Sequence, residues 1–289
     1  MRGIQLGVAA CGLLAASVAF GAAGEFKKPV IEEWTKIEKN DKGEDEEVTY
    51  MTIDGILVHE TDPAKQPQPP IVTPGTASTQ ETPGTAPSDA VVLFDGSGLD
   101  AWTSTTEGEP TKWLMKDGAM YPTPDSGMIQ SKQEFGSCQL HVEFATPSHV
   151  EGEGQGRGNS GVFLMGQYEV QVLDSYGNTT YPDGQASALY GRSKPLVNAS
   201  RKPGEWQIYD IIFHRPVFEG DKVVKRATFT VLHNGVLVQD HVRLSGGTGW
   251  NGGHAVTHYV PHGDKGPIQL QDHGNPVRFR NIWIRELQD

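Results

Sequence analysis

The chain has 289 residues, with 36 Asp and Glu against 24 Lys and Arg and a formal net charge of -12. That length holds one large domain or two small ones, and the acidic balance argues against nucleic acid or an anionic membrane surface as the main partner. The 35 Gly and 19 Pro suit many short strands joined by tight turns, because Gly supplies positive φ and Pro blocks helix interiors.

Arg2 followed by a small-residue apolar run from Leu6 to Ala23 reads as an export leader over 1–23, ending at small residues that a signal peptidase accepts. The run is short and lacks a basic stop-transfer flank, so no membrane span is expected and the chain is assigned to the periplasm or the exterior. Val8-Ala9-Ala10-Cys11 has the look of a lipoprotein box, but most of the apolar run follows Cys11, which makes lipid anchoring the minor alternative. Loss of the leader leaves Cys138 alone, so no intrachain disulfide can form, and a lone Cys in a strand pattern reads as a small core residue.

Residues 24–60 form a short N-terminal segment. Val48 to Ile53, Asp54-Gly55 and Ile56 to Val58 spell a hairpin, marginal by itself because it can bury little. From Thr61 to Ser88 the chain is rich in Pro, Thr, Gly and Gln, a composition expected to give a flexible linker. The main domain is expected over 89–289.

There the pattern is all-β. Leu140, Val142 and Phe144 alternate with polar neighbours, as do Tyr168, Val170 and Val172, then Ile268 and Leu270, then Val277 and Phe279. Asn234-Gly235 marks another hairpin. Period-two alternation over many short runs predicts antiparallel sheets stacked as a sandwich.

The second face of these strands carries Glu169 and Gln171, Gln269, Gln271 and His273, and Arg278 and Arg280. Such groups can form paired hydrogen bonds to sugar hydroxyls or a carbonyl. Each one alone is compatible with a solvated face or a buried network; as a set, on adjacent strands, they would line a polar floor. Glu169 and Asp174 are the obvious carboxylate pair, but positions five apart have opposite strand parity, which counts against a nucleophile-and-acid pair unless Asp174 turns at the strand exit. Asp272-His273-Gly274 places a titratable His at a turn. His254, His258 and His262 recur every four residues, yet the nearby Gly252-Gly253 and Pro261 argue against a helix, so no metal or other cofactor is predicted. Glu151 to Gly158 lacks the features of a phosphate loop and reads as a mobile loop over the sheet.

Val92-Leu93-Phe94-Asp95-Gly96 with Leu99-Asp100-Ala101-Trp102 opens a series that continues through Gly158-Asn159-Ser160-Gly161, Tyr168 to Ser175, Ala188-Leu189-Tyr190-Gly191, Gly204-Glu205-Trp206, Gly266 to Gly274 and Val277 to Ile282. In this order the series resembles the bacterial family once labelled domain of unknown function 1080, associated with 3-keto-disaccharide hydrolases and 3-keto-glucoside lyases. The resemblance implies a concanavalin-like jelly roll with a sugar or glycoside as partner. It also implies elimination chemistry, in which a ketone at C3 acidifies the C2 proton, a base removes it and the C1 substituent leaves. On that reading Glu169 and His273 are the base and acid, and Arg278 or Arg280 stabilises the enolate. Asn159, Gln171, Asp174, Tyr190 and Gln271 position substrate. A non-catalytic lectin-like module and an ordinary glycoside hydrolase are the alternatives. The segment from Gly246 to Asp264 is longer than the family pattern leads one to expect.

Overall fold

The computed structural model describes residues 28–39, 42–58, 68–249 and 258–287. The leader, Cys11 and His254 lie outside the described residues. The chain divides into two compact units between Ile71 and Val72.

The first unit is a three-stranded antiparallel sheet of β1 (Ile31–Lys39), β2 (Asp45–Ile53) and β3 (Ile56–Val58). Asp54 and Gly55 both take positive φ, 54° and 76°, which is what a two-residue hairpin turn with the right twist requires. Ile31, Ile37, Ile56 and Leu57 remain exposed, in keeping with a sheet too small to bury its own apolar residues.

The second unit is a jelly-roll sandwich without an α-helix among the described residues. Its smaller sheet runs in the order β11 (Tyr168–Val172), β10 (Ser160–Leu164), β17 (Gly266–Leu270), β8 (Ile129–Phe135), β5 (Trp102–Ser104). The larger sheet is built on β16 (Val236–Arg243), β15 (Thr228–His233), β12 (Gln207–His214), β9 (Cys138–Ala145) and β18 (Arg278–Glu286), followed by β7 (Ala119–Tyr121) and β6 (Leu114–Lys116), with β4 (Val91–Phe94) also on β18. A hairpin of β13 (Val217–Glu219) and β14 (Lys222–Lys225) stands apart.

Alternation decides the core. Val162, Val170, Val172, Ile268 and Leu270 from one sheet meet Leu140, Val142, Ile211, Phe229 and Phe279 from the other. Tyr168 bridges the layers, its ring 5.6 Å from that of Phe213. Cys138 is a buried core residue, as its pattern implied. The buried Tyr209 hydroxyl donates to the carbonyl of Gln171 across the sandwich at 2.7 Å, satisfying both polar groups.

Two expectations change. The part of the Pro/Thr-rich stretch from Val72 to Ser88 is no free tether: it is folded back on itself and strapped across the outer face of the large sheet. Thr76 donates its N–H to the Thr85 carbonyl (3.2 Å), and Thr73 and Ser88 close the base. Polar bonds to buried charged groups hold it, which compensates for the apolar contacts its composition cannot make. The Gly-rich loop is likewise pinned: Asn178 bonds both the N–H (2.9 Å) and the carbonyl (3.0 Å) of Gly154.

Candidate active site on the small sheet

Register places the polar residues in rows. Phe163 opposes Glu169 on one side and Gln269 on the other, and Gln269 opposes Gln130. Directly opposed residues share a face. Since Val162, Val170 and Ile268 point into the core, this row lies on the outer face of the small sheet. The next row holds Gln171 opposite Gly161, whose carbonyl accepts the N–H of Gln271. Of the polar residues expected to share a floor, Glu169, Gln171, Gln269 and Gln271 thus stand together across β11, β10 and the end of β17.

Glu169 is only 5% exposed. Gly161 makes room for it, since a Cβ there would come within 2.5 Å of the Glu169 Oε1. Gln171, with its amide nitrogen turned toward two acceptors, donates to Glu169 Oε1 at 3.2 Å and to the Ser160 carbonyl at 2.8 Å. Burial pushes the Glu169 carboxyl up to about 8, because desolvation disfavours its charged form. Val170 bridges Leu189, so Tyr190 stands opposite Glu169 on the same face, its N–H donated to the Glu169 carbonyl at 3.2 Å. The Tyr190 hydroxyl meets that of Tyr181 at 2.6 Å. Gly184 supports Tyr181 so closely that a Cβ would lie 2.1 Å from its ring. Burial and the bond to Tyr190 raise the Tyr181 hydroxyl, keeping it a proton donor at neutral pH.

Gln155, from the Gly-rich loop, ties this corner together. Its terminal amide lies 2.9 Å from that of Gln171, and Asn159 Nδ2 donates to its backbone carbonyl at 2.7 Å. Asn159 Oδ1 is buried without a protein partner, leaving an acceptor available at the site. Gln155 and Tyr181 were not singled out from the sequence; their loops carry no alternation to mark them.

Asp174 lies beyond the end of β11, paired with Arg157 Nε at 2.7 Å and accepting the N–H of Tyr176. It serves the loop rather than a dyad with Glu169. His273 is exposed in the turn after β17. Neighbouring Asp272 fixes that turn through Ser126 and Gly127, both at 3.1 Å. Of the recurring histidines, His262 accepts at Nε2 from the Tyr168 hydroxyl at 2.7 Å.

Arg278 and Arg280 are the correction. They belong to β18, in the other sheet, and the sandwich core separates them from Glu169. Arg280 donates to Glu143 Oε2 (2.8 Å) and to the Thr79 carbonyl of the strap (2.6 Å), and its guanidinium lies 4.2 Å from the Trp206 ring centre. Arg278 lies 5.1 Å from the same ring. A bulge between Arg280 and Trp283, with Asn281 at φ 46°, turns Asn281 to this face as well, where it donates to Glu143 at 2.7 Å. Ser78 of the strap donates to the same carboxylate. His141 completes the cluster against Asp210 (2.7 Å). Burial opposes its charge, but Asp210 and Glu143 outweigh it and lift the imidazole to about 9. Burial alone would raise Glu143, yet His141, Ser78, Asn281 and Arg280 hold it down at about 2. The cluster is a charged clamp for the strap.

The sequence profile of the 3-keto-alpha-glucoside-1,2-lyase-like domain family matches residues 89–285. A 3-keto-disaccharide hydrolase of Bacteroides thetaiotaomicron is 24% identical over 242 residues, covering 68% of this chain and 78% of the relative. Among solved structures, a proposed glycosyl hydrolase from Parabacteroides distasonis is 48% identical, with a TM-score of 0.73 over 81% of this chain and 98% of that one. A second from the same organism, 17% identical with a TM-score of 0.51 over 69% of this chain and 94% of its own, shares the fold.

Proposed function

Because the chain belongs to the family of 3-keto-alpha-glucoside-1,2-lyase-like domains, we propose that it is a carbohydrate-active enzyme that cleaves 3-keto-glycosides. The route is base-catalysed elimination, with or without addition of water to the enone. Glu169 carries the reading. It is a nearly buried carboxyl raised to about 8, close to what a base needs for removing a carbon-bound proton near neutral pH.

The remaining roles follow from position. Gln171 aims the carboxylate. The Tyr181–Tyr190 hydroxyl pair donates to the enolate oxygen in place of the arginines expected from the sequence, since donors arranged before the reaction stabilise developing charge best. His273 protonates the departing oxygen from the rim, and Asn159 and Gln271 hold sugar hydroxyls. The ketone itself supplies the acidity, so no cofactor enters the scheme. Ordinary hydrolysis through two carboxylates is less well supported, since Asp174 is held by Arg157. Export to the periplasm or exterior remains part of the proposal.

A 3-keto-glucoside and its unoxidised parent, each offered to the purified protein, test it. Turnover of the keto sugar alone, lost in Glu169→Gln, is the expected result. Cleavage of the parent would replace elimination with ordinary hydrolysis, and binding of either without turnover would make the domain a lectin.

A further inference from the structure

On the outer side of the large sheet, remote from Glu169, a groove of about 560 Å³ opens between the β13–β14 hairpin and the ends of β12, β15 and β16. Its walls carry His214, Arg215, Lys225, Arg226, His241 and Arg243. In a chain of net charge -12, that is a strong local reversal of sign. Arg215 is answered by Asp264 at 2.6 Å. Among the described residues no carboxylate pairs with Lys225, Arg226 or Arg243.

The groove is built into the sheet rather than scattered over a surface. The register of β15 and β16 jumps from Phe229 opposite Val242 to Val231 opposite Gln239, leaving Asp240 and His241 as a bulge. His241 adopts φ 49°, and its N–H donates to the Thr230 hydroxyl at 3.2 Å. A left-handed non-glycine residue in a bulge re-aims side chains and bends the strand, and His241 and Arg243, two positions apart, both line this wall. Val217 and Val224 line the hairpin side, offering apolar surface between the cations.

We infer that this groove is a second, non-catalytic binding site for an anionic glycan, a chain bearing carboxylate or sulfate groups. A concave site lined by one sign of charge concentrates the opposite sign. The valines suit the C–H faces of sugar rings. Among the described residues no Phe, Tyr or Trp lines the groove, so it lacks the broad stacking platform that single-stranded nucleic acid uses. Only the choice of a glycan over another polyanion rests on the family reading. The charge argument is independent of the chemistry at Glu169.

The test is titration calorimetry of the full-length protein with polygalacturonate, a sulfated glycan such as chondroitin sulfate, neutral dextran and a single-stranded DNA of matched charge. Binding of at least one anionic glycan, weakened by salt and absent for dextran, is expected. Lys225→Glu with Arg243→Glu should weaken it by at least about tenfold, and the milder Lys225→Gln with Arg243→Gln should weaken it less, both with turnover at the Glu169 site unchanged. The inference fails if no anionic glycan binds at low salt, if dextran or the DNA binds as tightly, or if the charge-reversed protein keeps its affinity. Failure of the Glu169 chemistry would appear as absent turnover with glycan binding intact.

Discussion

Glu169 answers two opposing demands. Burial raises its carboxyl to about 8, whereas an unfolded glutamate titrates near about 4.3. The folded state therefore binds the proton more tightly, so the stability this group contributes is complete below about 4.3 and drains away as pH rises through about 8. As a base it must be ionised to act, so turnover should rise with pH through the same region where stability falls. Glu169→Gln separates the two: at pH 9 it should melt roughly 4 °C higher than the parent, with no turnover at any pH. Equal melting temperatures at pH 9 would mean that the carboxyl is not desolvated. Arg280 makes the opposite case. Arg280→Ala leaves Glu143 buried without its guanidinium, which costs about 3–5 kcal/mol, measurable by urea denaturation. Because the core lies between Arg280 and Glu169, kcat of the folded variant should stay at the parental value. A selective loss of kcat would return Arg280 to the active site.

Among the elements, the strap from Val72 to Ser88 departs most from its composition. Its sequence holds Thr-Pro-Gly-Thr-Ala twice, at Thr73 and at Thr82, and the two copies face each other. Thr76 and Thr85 exchange side-chain and backbone bonds of 3.0–3.2 Å. A Cβ on Gly84 would lie 2.0 Å from the Thr76 carbonyl oxygen, and one on Gly75 equally close to that of Thr85. Gly84→Ala should therefore open the strap, seen as new cleavage between residues 72 and 88 under limited proteolysis, while the parent stays intact there. That duplicated pentapeptide was the available signal that the stretch folds. Absence of apolar residues was a poor guide, because Ser78 and Gln80 are held by Glu143 and by both backbone groups of Trp206.

For the whole molecule, the division between Ile71 and Val72 puts the strap with the sandwich. A chain beginning at Val72 should keep the melting temperature of the sandwich, whereas one beginning at Ala90 should lose roughly 5 °C or more, since the clamp of Glu143, His141 and Arg280 loses Ser78 and Thr79. Differential scanning calorimetry distinguishes the two, and equal values would mean that the strap contributes nothing.

The same contrast separates what local pattern carried from what it did not. Strand alternation, Asp54-Gly55, Asn234-Gly235 and the motif series were enough for an all-β sandwich, the core residues and the polar row of Glu169, Gln171, Gln269 and Gln271, because the face of a side chain on its own strand follows from parity alone. Parity does not say to which sheet a strand belongs. Arg278 and Arg280 show the same alternation as Glu169 and Gln171, yet long-range pairing put β18 beside β9 and the β10–β11 hairpin beside β17, on opposite sides of the core. Pairing is decided by contacts between residues more than a hundred positions apart, and loops such as those bearing Gln155 and Tyr181 acquire their place only from it. The chemical character of the face was thus written in the chain itself, and the choice of which charged groups share it was left to tertiary structure.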